Sequence, residues 1–107
     1  MNAPQASHRN AHTLILDQPI KRGESEITSI TLRKPSAGEL SGLAISELIR
    51  MDASTVMQAL PRITEPALVP PEVNAMDPAD LFQCATAIAS FFLPKTLRTE
   101  IDLSGTE

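Results

Sequence analysis

Ile27-Thr28-Ser29-Ile30-Thr31-Leu32-Arg33-Lys34-Pro35-Ser36-Ala37-Gly38-Glu39-Leu40 is the stretch that decides the fold class. In its first half Thr28, Ile30 and Leu32 share one parity, so a strand over Ile27–Arg33 turns a largely apolar face to one side. Pro35 stops that strand and biases Lys34 away from helical geometry. Ser36 and Glu39 then stand three apart as a capping box. The hydroxyl can accept from the Glu39 amide while the carboxylate reaches back to the Ser36 amide. Two of the four donors that a helix start leaves unpaired would be satisfied this way. A strand therefore runs directly into a helix.

Toward the N-terminus, Thr13–Asp17 is a second strand candidate, with Leu14 and Leu16 on one parity. Lys21-Arg22-Gly23-Glu24-Ser25-Glu26 is charged around a glycine and reads as a solvated turn. The expectation is a β-hairpin over residues 13–33. Two strands alone are marginal in water, so the hairpin must lean on helices or on another copy. Residues 1–12 mix Asn, Pro, Gln, Ser and His without periodicity and read as a disordered leader.

Toward the C-terminus, Leu40, Leu43 and Ala44 fall on one helical face, and Ile45, Leu48, Ile49 and Met51 continue the apolar pattern. Gly42 weakens the middle by roughly 1 kcal/mol relative to Ala, which favours two short pieces. Asp52 caps the next helix, whose stripe is Ala53, Val56, Met57 and Leu60, and Pro61 ends it. Helices are thus expected over about residues 36–60. Five of the nine prolines lie between Pro61 and Pro78, so this segment reads as a semi-rigid connector with one helical turn at Pro71–Met76. Asp77 as N-cap, Pro78 at the first helical position and Asp80 in the first turn open a last helix over residues 78–93. Its main stripe is Leu81, Cys84, Ala85, Ile88, Phe91 and Phe92. Residues 94–107 read as a flexible tail. The fold class is α+β: an N-terminal β-hairpin followed by a small bundle of short α-helices, in one domain over residues 13–93, with disordered termini.

Composition bounds the chemistry. A chain of 107 residues makes one domain with an aliphatic core, since there are three Phe and no Tyr or Trp. The net charge of −4 argues against a broad phosphate-binding surface. Cys84 is the sole cysteine, which excludes an intrachain disulfide and suits a cytoplasmic setting. No apolar run is long enough to be a signal core or to cross a bilayer. The chain is expected to be soluble, without a membrane partner.

No residue cluster reads as a catalytic, metal or cofactor site. Cys84 lies in an apolar stripe without a neighbouring base, and reads as a structural thiol. His8 and His12 fall in the leader without acidic or cysteine partners. Asp77 and Asp80 are accounted for as helix-start groups, and Gly38 and Gly42 lack the lysine of a phosphate-binding loop. Lys21-Arg22 and Arg33-Lys34 are basic pairs without interleaved aromatics, so nucleic acid is not an expected partner. The last helix carries two open readings. Its apolar stripe is the core, or it also presents Phe82, Ala89, Phe91 or Phe92 to another helix. The structural caps are Ser36, Glu39, Asp52 and Asp77.

The run from Ile30 through Arg33-Lys34-Pro35-Ser36-Ala37-Gly38-Glu39-Leu40 to Leu43 resembles the bacteriophage tail assembly chaperones, a family that includes the E-type proteins of P2-like phages and their Mu-like equivalents. The resemblance continues in Leu48-Ile49-Arg50-Met51-Asp52, in Leu60-Pro61-Arg62-Ile63-Thr64 and in Met76-Asp77-Pro78-Ala79-Asp80-Leu81, and takes in Leu16 through Ile20. It covers about Thr13 to Leu93. Glu39 stands where members often carry Asp, which keeps the charge and the capping logic. The resemblance implies a protein without catalysis that keeps the tape measure protein soluble in the host cytoplasm while the tail tube forms, and that is absent from the mature virion. It also implies a programmed frameshift that extends a minority of copies, and so self-association and a frameshift-extended form as further partners. The alternatives are a small phage nucleic-acid-binding regulator or another accessory interaction protein.

Overall fold

A computed structural model describes residues 11–93. The expectations for residues 1–10 and 94–107 lie outside the described residues. Strands β1 (Ala11–Arg22) and β2 (Ser25–Arg33) form an antiparallel hairpin, and β3 (Thr64–Glu65) pairs with the far side of β2. Four helices follow or flank them: α1 (Ile45–Ile49), α2 (Ala53–Ile63), α3 (Pro70–Asn74) and α4 (Pro78–Phe91). The architecture is α+β, with one sheet face covered by helices.

The hairpin closes more tightly than the charged hexapeptide suggests. Arg22 pairs with Ser25, and Gly23 takes φ +62°, a left-handed conformation that glycine adopts without steric cost. At the other end β1 starts at Ala11, so His12 is a strand residue paired with Leu32 rather than part of a leader. Between Ile15↔Ser29 and Ile20↔Ile27 the register shifts, leaving Leu16, Asp17, Gln18 and Pro19 opposite Thr28 alone. Pro19 has no N–H to give a ladder, and the irregularity there lets Ile27 and Ile30, of opposite parity, both be buried. On β2 the inward parity switches across the same point. Ile27 is buried and Thr28 exposed, whereas Ile30 and Leu32 face the core.

The Ser36–Glu39 signal yields a single 3₁₀ turn, Gly38–Leu40, and not an α-helix. The Glu39 carboxylate does accept from the Ser36 amide, at 2.9 Å. The Ser36 hydroxyl, however, donates to that carboxylate at 3.3 Å and caps no amide. Arg33 explains the outcome: its guanidinium donates twice to Glu39, at 2.8 and 2.7 Å, and holds the carboxylate against the end of β2. Gly42, at φ +83°, then turns the chain before α1 begins.

Pro61 lies inside α2, not at its end. The helix runs two residues further, and side-chain bonds fix its last turn. Arg62 donates to the carbonyls of Glu39 (2.8 Å) and Ser41 (2.9 Å), and the Thr64 hydroxyl donates to the Leu60 carbonyl (2.8 Å). Thr64 also accepts from the Leu68 amide at 3.0 Å, drawing the proline-rich segment onto the core, where Leu68 and Val73 are buried. That segment is therefore packed structure, with α3 tied to β1 by the Arg22–Glu72 pair. The core joins Leu14, Leu16, Ile20, Ile27, Ile30 and Leu32 of the sheet to Leu48, Val56, Leu60, Ile63, Cys84, Ile88 and Phe91 of the helices.

Candidate functional site

Helix α4 is positioned by two carboxylates at its start. Asp77 adopts extended backbone angles as N-cap and accepts from the Ala79 amide at 3.1 Å, and Pro78 follows at the first helical position. Asp80 does more than add first-turn charge. It is buried, and its two oxygens accept from the Asp17 amide (2.8 Å) and the Gln18 amide (3.1 Å), donors that the β1 irregularity frees from the ladder. One side chain thus anchors the helix N-terminus to the bulged strand. Burying those amides unpaired would cost about 1–3 kcal/mol each.

Asp17, Asp77 and Asp80 bring carboxylate oxygens within 4.8 Å of one another. Asp80 and Asp77 are already engaged by backbone amides, so strand and helix geometry accounts for this cluster. Cys84 points into the core, and burial, reinforced by Asp80, pushes its thiol up to about 12. It stays a protonated packing group.

The three phenylalanines part company. Phe91 is 5% exposed and belongs to the core, so it is removed from the partner-binding set: helical spacing turns it to the same side as Cys84 and Ile88. Phe92 and Ala89 are half-buried, Phe92 against the core. Phe82 is 63% exposed and lies on the outer face of α4 with Ala79, Gln83, Thr86 and Ser90. His12 borders one side of this face. The Thr86 hydroxyl lies 3.8 Å from the Met51 sulfur and donates to the Phe82 carbonyl at 3.0 Å.

Ile45, Ile49 and Met51 were expected to continue a buried stripe, but all three are exposed and only Leu48 of α1 enters the core. Ile45, Leu48 and Ile49 fall at i, i+3 and i+4 of one helix, yet only Leu48 meets the core. Met51 ends that helix in an unexpected way. The amides of Met51 and Asp52 bond back to the Leu48 (3.0 Å) and Glu47 (2.9 Å) carbonyls, a left-handed helix ending that usually places glycine where Met51 stands. Met51 takes φ +62°, at about 1 kcal/mol for a residue with a Cβ. Without a glycine no local sequence signal marks the turn. Asp52 then caps α2, accepting from the Thr55 amide (3.0 Å) and hydroxyl (2.8 Å).

The sequence blocks that carry the family resemblance meet in pairs. Arg33 donates to Glu39 and to the Arg62 carbonyl, Arg62 returns to the Glu39 carbonyl, and Thr64 pairs with Leu32. The Asp77–Leu81 block meets the Leu16–Ile20 block through Asp80. These contacts tie the blocks into one scaffold, while Ile49 and Met51 of the Leu48–Asp52 block are exposed.

A family model for "phage tail assembly chaperone proteins, E, or 41 or 14" matches residues 13–93. Tail assembly protein E of Escherichia phage P2 is 36% identical over 87 residues, which cover 81% of this chain and 96% of that protein. Tail assembly protein E' of the same phage is 37% identical over 82 residues, 77% of this chain but 58% of that protein. No solved structure matches the chain. With the family model matching all but two of the described residues and a relative this similar matched along nearly its full length, the chain belongs to the phage tail assembly chaperone family.

Proposed function

We propose that this chain binds the tape measure protein, keeps it soluble in the host cytoplasm during tail tube assembly, and is displaced before the virion is complete. The observation that carries this reading is the outer face of α4 with its exposed Phe82, in a protein whose core is otherwise filled. A holding function asks for accessible apolar surface and reversible contacts. Burying a phenylalanine gains about 1.5–3 kcal/mol, enough for a weak contact and too little for a permanent one.

Two further parts of the reading have support of their own. E and E' are both similar to this chain, and the matched region fills much less of E'. That favours a second, frameshift-extended form of this protein carrying the same domain. Among the described residues no helix is long and apolar enough to cross a membrane, in keeping with a cytoplasmic role. A nucleic-acid-binding role gains nothing from the structure, because the Arg22 and Arg33 guanidiniums are each held by a carboxylate, Glu72 and Glu39.

Co-expression with its cognate tape measure protein tests the proposal. The soluble fraction of the tape measure is expected to rise several-fold when the chain is present. An equal soluble fraction with and without the chain would overturn the reading.

A further inference from the structure

We propose that the groove between the free edge of β1 and the outer face of α4 receives an extended strand, and that its occupant is this chain's own segment Leu97–Leu103. The segment then covers Phe82 until a client displaces it, a consequence that rests on the chaperone reading above.

The groove has two unlike walls. β1 stands at the end of the sheet order, so one of its edges faces away from β2. Along that edge Asp80 takes the Asp17 and Gln18 amides, and among the described residues no backbone group facing outward between Ala11 and Leu16 has a partner. An unpaired edge is a template for another strand. The opposite wall is α4, whose Phe82, Gln83, Thr86 and Ser90 line a space of about 720 Å³ that His12 of β1 borders. A helix laid there would cover the edge amides and carbonyls without pairing them, because its own backbone bonds are internal. An extended segment pairs with the edge and turns alternate side chains toward the helix, as in recognition by strand addition.

The sequence beyond α4 carries such a segment. Leu97, Thr99, Ile101 and Leu103 fall on one parity, and Arg98, Glu100 and Asp102 on the other. One side is apolar apart from a hydroxyl, and the other is wholly charged. The helix wall matches the first side, since the one formally charged residue of α4 is Asp80, and it is buried. Leucine and isoleucine against Phe82 gain apolar burial, and the charged side keeps its water.

Length and direction agree. Asp80 fixes the start of α4 at Asp17 and Gln18, while Ser90, near its end, lines the same groove as His12. The helix thus runs back along β1 toward the strand's beginning. α4 ends at Phe91, and Pro94 cannot continue a helix. Pro94-Lys95-Thr96 is an ordinary length for a helix-to-strand loop. A strand leaving that loop runs parallel to β1. Residues 97–103 extend about 23 Å and the free stretch Ala11–Leu16 about 20 Å, after which Asp80 closes the edge. Tethering favours this occupant over a second copy, because so short a link holds the segment at an effective concentration on the order of millimolar.

Amide hydrogen exchange on the full chain tests the proposal, against a full-length variant carrying Leu97→Asp and Ile101→Asp. Amides of residues 97–103 and of the β1 edge between Ala11 and Leu16 are expected to exchange at least about tenfold more slowly in the unaltered chain. A labelled peptide with the sequence of residues 94–107 should bind the variant, whose groove is vacated, and not the unaltered chain. Adding Phe82→Ser to the variant should weaken that binding about tenfold. Equal exchange in the two chains, or equal peptide binding by both, would overturn the assignment. So would protection that rises with protein concentration alongside a dimer in light scattering, which would give the edge to a second copy. The variant is also expected to bind the tape measure protein several-fold more tightly, and equal affinity would overturn the competition. The two proposals fail separately. Fast exchange at residues 97–103 removes the strand and leaves the chaperone role, whereas slow exchange in a chain that does not raise tape measure solubility does the reverse.

Discussion

The two ends of α4's circumference are built on opposite terms. On the inner side, where the helix meets β1, the buried polar groups are matched: Asp80 takes both free amides of the bulge, and among the described residues no buried side-chain polar atom lacks a partner. On the outer side Phe82 stands 63% exposed, one helical turn from Thr86. A chain that closes its inner joint so completely does not leave the outer face open for want of packing material. The contrast teaches that one helix closes the core on one side and leaves a large apolar side chain in solvent on the other.

The largest effects should separate its two phenylalanines. Phe91→Ala, a deletion in the core, should cost about 3–5 kcal/mol of unfolding free energy in urea titration, and Phe82→Ala no more than about 0.5 kcal/mol. Comparable losses would erase the distinction between the sides. Next comes the joint itself. Asp80→Ala orphans the Asp17 and Gln18 amides and should cost about 3 kcal/mol, with faster amide exchange at those two positions. A loss confined to the first turn of α4 would mean that Asp80 serves the helix alone. Asp77→Ala should cost less, about 0.5–2 kcal/mol, as the loss of an N-cap.

The smallest effect is electrostatic and concerns the scaffold. Hydrogen bonds from Arg33, then from the Ser36 amide, hold the Glu39 carboxyl at about 2, against an ordinary 4.5. Arg22 does the same for Glu72, with the Val69 amide second, also to about 2. Because both folded-state values lie below the unfolded ones, the stability they add is fully present above pH 4.5 and is lost as pH falls toward 2. Glu39→Gln with Glu72→Gln should flatten the acid limb of a stability-against-pH curve and leave peptide binding at α4 intact. An unchanged acid limb would remove the two pairs from the account of the scaffold.

The hairpin was legible because alternation at Leu14, Leu16, Ile30 and Leu32 is a direct record of one buried face. The bulge was only hinted at by Pro19, and the Asp80 carboxylate that takes its freed amides lies on another element, while β3 was not legible because two residues carry no period. Ser36 and Glu39 gave a true local signal that a nearby arginine at the end of β2 redirected: Arg33 took the carboxylate, and the helix start became one 3₁₀ turn. Pro61 misled as well: Thr64 closes the helix end on the Leu60 carbonyl, and Arg62 reaches out of the helix to the Glu39 carbonyl. Of the candidate face, periodicity identified α4 as unusually apolar yet could not say which phenylalanine turned outward. Met51 had no signal, because its left-handed ending is reached without glycine.

Site-specific photo-crosslinking tests the central claim most directly: a photoreactive phenylalanine analogue replaces Phe82 in one variant and Ile15 in another, each co-expressed with the tape measure protein. The account predicts a covalent adduct with the tape measure from position 82 and none from position 15. An adduct from position 15 alone, or none from either while the tape measure stays soluble, would contradict it.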